Sequence, residues 1–144
     1  MNTTAAIAED LVTSLDEQTA RLLGARCRDC GVYSFPKRLG CAYCSSANLE
    51  TAELSRRGTL WTWTSQSFRP PSPPYLGPEC PTEDFAPIYV GYVELPNQCR
   101  VISRLLVSDP EELQIGMELE LALFEFRQDA EGGSVVSYGF RPAR

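Results

Sequence analysis

The sequence contains no histidine and a single lysine, Lys37. Without imidazole there is no Ser-His-Asp triad, no Cys-His nucleophile pair and no histidine metal ligand. The commonest general base near neutral pH is missing too. Asp, Glu, Tyr, Lys and Cys chemistry stays open, but so short a list in so short a chain points first to a non-catalytic role. No apolar run approaches the roughly 18 residues of a membrane span, so no membrane partner is expected. The opening stretch MNTTAAIAEDLVTSLDEQ is acidic and has no basic start, apolar core or cleavage site of a secretory signal. The expectation is a cytoplasmic protein with reduced thiols.

What is present fits one ordinary globular domain: 144 residues, 43% hydrophobic and 22% charged. Ten glycines and eleven prolines favour a loop-rich β protein over a helical bundle. The net charge of −6 is unevenly spread. Residues 1–24 carry one arginine against four acids. Residues 25–57 carry six cations (Arg26, Arg28, Lys37, Arg38, Arg56, Arg57) against three acids, and residues 58–144 carry six arginines against twelve acids. A groove tracking nucleic acid must supply positive charge. The long C-terminal part does the opposite, so no nucleic-acid partner is expected there.

Three segments follow from patterning. Residues 4–20 place Ile7, Leu11, Val12 and Leu15 at helical spacing, with Thr4 as a cap. This predicts a helix docked on a partner or, alternatively, a partly ordered leader. From Cys27 to Cys44 turn residues dominate and too few apolar positions recur to hold a fold unaided. From Gly58 the pattern becomes strands, beginning with Thr59–Thr64. A proline-rich loop (Arg69–Pro81) precedes strands at Ile88–Leu95 and Arg100–Val107. A capped helical turn at Ser108–Leu113 with its exit at Gly116 is followed by strands Met117–Arg127 and Ser134–Phe140. Five strands with a helical turn between the third and fourth predict a small closed or partly closed barrel.

The strongest chemical signal is Cys27-Arg-Asp-Cys30, ten intervening residues, then Cys41-Ala-Tyr-Cys44. Each C-x-x-C pair forms a knuckle that aims two thiolates at one centre, and two knuckles complete a tetrahedron. Gly31 supplies the permissive backbone such a turn favours. Four protein ligands leave no open position, so the predicted zinc is structural. Disulfides or a four-thiolate iron are the alternatives the same spacing allows. Cys80 and Cys99 read as ordinary thiols.

Glu118 and Glu120 alternate with Leu119 and Leu121 and read as a solvated strand face rather than catalytic carboxylates. Trp61, Trp63, Phe68, Tyr75, Tyr89 and Tyr92 gather around the first two barrel strands. They serve either as core or as an exposed platform that docks a protein or an acyl chain. The proline-rich loop suits docking because its freedom is already reduced. Arg56, Arg57 and Arg69 are candidates to meet CoA phosphates or acidic partner residues, or are plain surface charges.

Leu22-Leu23, Cys27-x-x-Cys30-Gly31, Phe35-Pro36-Lys37-Arg38, Cys41-x-x-Cys44 and Leu49-Glu50 form one recognisable order. Gly58-x-Leu-x-Thr62-x-Thr64, Pro87–Leu95, Ile115-Gly116-Met117 and Tyr138-Gly-Phe140-Arg-Pro142 continue it. Over residues 20–142 the chain resembles acyl-CoA-associated proteins that join a rubredoxin-like zinc ribbon to an OB-fold barrel. The resemblance implies a mainly β chain: an N-terminal helix or leader over 1–20, a zinc ribbon over 21–57 and a five-stranded OB-fold domain over 58–144. It implies a structural zinc on Cys27, Cys30, Cys41 and Cys44, and a small accessory subunit supporting a thiolase-superfamily enzyme, with acyl-CoA at the interface.

The partner it favours is a sterol-carrier-protein-type aldolase acting on steroid side-chain CoA thioesters. Thiolase-type acyltransferases, hydroxymethylglutaryl-CoA synthase-like enzymes and hydratases are further partners, and a stand-alone acyl-CoA binding module is the alternative function. Where the family often has proline after the third cysteine and glycine after the fourth, this chain has Ala42 and Ser45.

Overall fold

The computed structural model describes residues 4–8, 11–68 and 86–143. Among them, the strands in chain order are β1 (Thr4–Ala6), β2 (Leu23–Cys27), β3 (Tyr33–Ser34), β4 (Leu49–Glu53), β5 (Arg57–Gln66), β6 (Ile88–Glu94), β7 (Arg100–Leu105), β8 (Glu118–Gln128) and β9 (Ser134–Pro142). The five predicted barrel strands are β5 to β9. They pair in the order β9-β7-β6-β5-β8, and β8 closes the ring by pairing antiparallel with β9. The β7–β9 contact is parallel and short, at Arg104 with Gly139 and Leu105 with Phe140. The rest of the ring is antiparallel.

The inward positions are the apolar half of each alternating pattern. Leu60, Val93, Val101, Leu105, Leu119, Leu121 and Phe140 are all but fully buried in one cluster. Each such side chain contributes about 1.5–3 kcal/mol by leaving water. The predicted helical turn is a 3-10 turn at Pro110–Glu112. Asp109 accepts from the Glu111 N–H at 2.9 Å, and the Glu112 carboxylate accepts from the Asp109 N–H at 3.1 Å. This reciprocal box satisfies donors the turn leaves open. Gly116 exits at φ 91° and donates to the Leu60 carbonyl at 2.7 Å, which ties the turn to β5.

Strand β5 departs from strict alternation. Its pairing with β6 shifts between Leu60 and Thr62, so that Trp61 sits on a bulge. The extra residue moves the inward face from even to odd positions. Leu60 is therefore buried, Trp61 is 47% exposed, and Trp63 packs against the core. At Gly58, a Cβ would lie 2.6 Å from the Glu94 carbonyl oxygen and 2.8 Å from Val93. Only glycine lets β5 and β6 approach this closely.

The N-terminal helix expected over residues 4–20 is not what forms. Thr4, Ala5 and Ala6 pair parallel with Ser134, Val135 and Val136, and β1 thus becomes a sixth strand on the barrel sheet. Ile7 continues the ladder by donating to Val136 at 2.7 Å. Farther on, Val12 bridges Leu22, and a turn at Asp16 is fixed by its side chain accepting from the Gln18 N–H at 2.9 Å. Two forces defeat the helix. The first half of β9 offers a hydrogen-bonding edge, and Thr, Ser and Asp compete for the backbone locally. The residues at helical spacing still serve packing: Ile7, Leu11, Val12 and Leu15 gather near Leu123, Val136 and Tyr138.

β2, β3 and β4 make a separate three-stranded antiparallel sheet with β2 in the centre. It is fastened to the barrel by apolar contacts. Leu22 and Leu54, both fully buried, belong to the same cluster as the barrel leucines. Phe35 meets Tyr138 edge-to-face, with ring centres 5.4 Å apart.

Candidate metal centre and the faces around it

Two similar turns build the metal centre. In the first, Cys27 ends β2, Gly31 donates to the Cys27 carbonyl at 2.9 Å, and Cys27 donates to Val32 at 2.9 Å. In the second, Ser45 donates to the Cys41 carbonyl at 3.0 Å, and Cys41 donates to Ser46 at 2.8 Å. The residue after each pair has a left-handed backbone, Gly31 at φ 82° and Ser45 at φ 66°. Asp29 bridges the turns by accepting from the Ser46 hydroxyl and from the Asn48 amide. Sequence reasoning passed over Asp29, Ser46 and Asn48 because short polar residues in a turn-rich stretch carry no spacing signal.

The four sulfurs lie within 4.8 Å of one another. Cys27 and Cys44 are 3.6 Å apart, and Cys30 and Cys41 are 3.5 Å apart. A tetrahedron with zinc–sulfur bonds of about 2.3 Å has sulfurs about 3.8 Å apart. A disulfide needs about 2.05 Å, and all four are free thiols. The disulfide alternative is thus not the arrangement that forms.

Backbone donors favour ionised sulfur. The N–H groups of Cys44 and Tyr43 point at Cys41 Sγ, at 3.5 and 3.4 Å, and pull its thiol down to about 6. Cys30 receives a similar pull from the Val32 N–H, yet desolvation and the neighbouring sulfurs push it up to about 12. Four sulfurs this close cannot all hold negative charge unless a cation sits among them. The donor set fits a soft or borderline dication, which would lock the two turns together.

Of the arginines singled out from the sequence, Arg56 and Arg57 are engaged within the chain. Arg56 donates to the carbonyls of Ala20 and Glu17, the latter at 2.8 Å, and reaches Leu121 at 3.5 Å. It staples the N-terminal segment to the seam between ribbon and barrel. Arg57 pairs with Glu118 and Glu120, each at 3.6 Å. Arg141 continues the chain of charges to Glu120 at 3.0 Å and Glu17 at 2.9 Å. Glu120 is therefore mostly covered, whereas Glu118 is exposed.

The aromatic cluster divides between core and surface. Tyr89 is buried and meets the half-buried Trp63 edge-to-face at 6.1 Å. Trp61 meets the exposed Tyr92 at 5.9 Å, and the Arg100 guanidinium stacks 3.9 Å above the Trp61 ring. Phe68 is exposed. Arg69, Tyr75, Cys80 and the proline-rich loop from Arg69 to Pro81 lie outside the described residues. Cys99 packs against the core, and burial raises its thiol. An open cleft of about 260 Å³ runs over the outer faces of β6 and β7. Ile88, Val90, Ile102, Phe124 and Phe126 line it, and Arg104 is its charged member.

Comparison with known proteins places both halves of the chain. Residues 18–50 match the ChsH2 rubredoxin-like zinc ribbon domain, and residues 51–124 match the ChsH2 C-terminal OB-fold domain. A DUF35 domain-containing scaffold protein of Pyrococcus furiosus is 34% identical over 123 residues, covering 85% of this chain and 83% of the relative. The benzoylsuccinyl-CoA thiolase subunit BbsA of Thauera aromatica is 29% identical over 126 residues, covering 88% and 79%. Among solved structures, a chain of the Ltp2-ChsH2(DUF35) aldolase superposes with a TM-score of 0.61 at 28% identity, covering 86% of each chain. Four cysteines converging on one point, a ribbon sheet and a five-stranded barrel sharing one core thus have a common explanation: the chain belongs to the ChsH2 family of rubredoxin-like zinc ribbon plus OB-fold proteins, and its zinc is structural.

Proposed function

We propose that this chain is an accessory subunit of a thiolase-superfamily enzyme acting on acyl-CoA thioesters. The observation that carries the reading is the closed four-sulfur site in a chain without histidine. Such a site organises structure and leaves no position for substrate. Its relatives support a subunit role, since one is a thiolase subunit and another is part of an aldolase. Within that class we take the partner to be an aldolase of sterol-carrier-protein thiolase type that cleaves a β-hydroxyacyl-CoA. A steroid side-chain thioester is the substrate class and lipid degradation the setting. Reduced thiols suit a cytoplasmic location.

The test is purification of the tagged chain from its own host, with mass spectrometry of what accompanies it. A thiolase-superfamily subunit in stoichiometric amount is the expected outcome. Turnover of acyl-CoA substrates by the chain alone would overturn the reading. A second reading, a stand-alone acyl-CoA carrier, is favoured by the apolar cleft beside Arg104. Micromolar binding of CoA esters to the isolated chain in calorimetry selects that reading; its absence selects the first.

A further inference from the structure

The ribbon spends most of its charge internally. Arg26 and Arg28 both reach Glu50 at 3.4 Å, and Arg26 also covers the Tyr33 ring. Asp29 is held by Ser46 and Asn48. Lys37 and Arg38 are left over: both are exposed, and among the described residues no carboxylate pairs with either. They precede Leu39, whose surface is 96% exposed, and on the other side of Cys41 stands Tyr43, 79% exposed.

Single exposed apolar residues are ordinary. Here two lie within two residues of a metal ligand, on backbone the site itself rigidifies, and beside two unpaired cations. Tyr43 is further fixed by its N–H bond to Cys41 Sγ. Neither side chain packs on the chain's own core, so the fold gains little from holding them there. A rigid tip loses little freedom on binding.

We infer that Lys37, Arg38, Leu39 and Tyr43 form a docking tip for a protein partner whose surface offers an apolar pocket rimmed by carboxylates. The inference rests on the accessory-subunit reading and names the surface used. Charge selects the occupant: the tip is positive on a chain whose net charge is −6, and an acidic rim steers it in while the apolar pair fills the pocket. On a second copy, the apolar cleft over β6 and β7 carries Arg104 and, among the described residues, no carboxylate, so it lacks the acidic rim the tip calls for. A lipid surface would receive only two apolar side chains and two cations, a marginal anchor.

The experiment uses the full zinc-loaded chain and the thiolase-superfamily subunit that accompanies it from its host. Replacing Lys37→Glu, Arg38→Glu and Leu39→Ser together should weaken the complex at least tenfold and flatten its salt dependence. Zinc content and thermal midpoint should remain those of the parent chain. If the triple variant loses zinc, Leu39→Ser alone and a photo-crosslinker at position 39 replace it, and the expected crosslink falls in an acidic segment of the enzyme subunit. Wild-type affinity in a zinc-loaded variant, or no crosslink from position 39 in an intact complex, overturns this inference and leaves the subunit reading standing. Leu39-dependent sedimentation with phosphatidylserine vesicles, or self-association abolished by the charge reversals, overturns it in favour of a membrane or a second copy. If no thiolase-type subunit accompanies the wild-type chain, both readings fall.

Discussion

Between Cys27 and Leu49 the buried apolar side chains are two cysteines, Cys27 and Cys41, whereas the barrel buries Leu60, Leu105, Leu119, Leu121 and Phe140. The same chain thus holds two regions by different means: sulfur converging on a metal in the ribbon, and apolar area removed from water in the barrel. The difference shows why the ribbon tolerates exposed Leu39 and Tyr43. Its two knuckles converge through sulfur and need neither of those side chains buried. The two regions meet at Leu22 and Leu54, which sit in the barrel's cluster and leave the ribbon anchored at its base.

Metal removal is the strongest way to break this comparison. Structural zinc supplies on the order of 10 kcal/mol of folding free energy in small ribbons. Chelation under reducing conditions should release the amides of Gly31, Cys41 and Ser45 to hydrogen exchange while those of Val93 and Leu105 stay protected. Continued protection of the ribbon amides would mean that side-chain packing, not sulfur, holds the knuckles. The mirror experiment is Phe140→Ala, in the barrel. Removing a fully buried aromatic costs about 3–5 kcal/mol. The urea midpoint should fall accordingly at unchanged zinc stoichiometry.

Arg56→Ala tests the seam between the regions. It deletes a charged donor shared by the carbonyls of Ala20, Glu17 and Leu121. Hydrogen bonds to charged groups contribute about 1.5–3 kcal/mol, so stability should fall by about 2 kcal/mol. Proteolysis should begin in residues 11–20 before it reaches the barrel. Arg56→Lys should recover only part of the loss, because one ammonium cannot reach all three carbonyls in the guanidinium's planar fork.

The barrel strands, the capped turn and the four ligands were legible because each rests on local pattern: alternation, a capping box, C-x-x-C spacing. Three features were not. The helical spacing of Ile7, Leu11, Val12 and Leu15 was real, but a free edge on β9 and the turn at Asp16 captured the segment instead. Trp61 and Trp63 share a face by simple alternation, and only the pairing shift with β6 separates them into surface and core. Arg56 and Arg57 are adjacent and identical in sequence, yet one reaches carbonyls across the seam and the other pairs with carboxylates along a strand. Such partners lie far away in sequence and leave no local trace.

The two knuckles offer the finest comparison, since they repeat one turn with a different residue at its left-handed exit. Gly31 at φ 82° and Ser45 at φ 66° hold equivalent positions, each donating back to the first cysteine of its pair. For a residue with a Cβ, left-handed backbone costs about 1–2 kcal/mol. A glycine at that position would avoid the cost, whereas Ser45 bears it. Ser45→Gly should therefore stabilise the zinc-bound ribbon by about 0.5–1 kcal/mol, since glycine's looser unfolded chain returns part of the gain. Gly31→Ala should destabilise it by about 1 kcal/mol. A Cβ at residue 31 would meet only the end of the Arg26 side chain, at 3.7 Å, so the loss would report backbone conformation rather than crowding. Slower zinc release to a chromogenic chelator for the first variant and faster release for the second would establish the equivalence. Equal rates would mean the metal, once bound, sets the exit geometry of both turns regardless of residue.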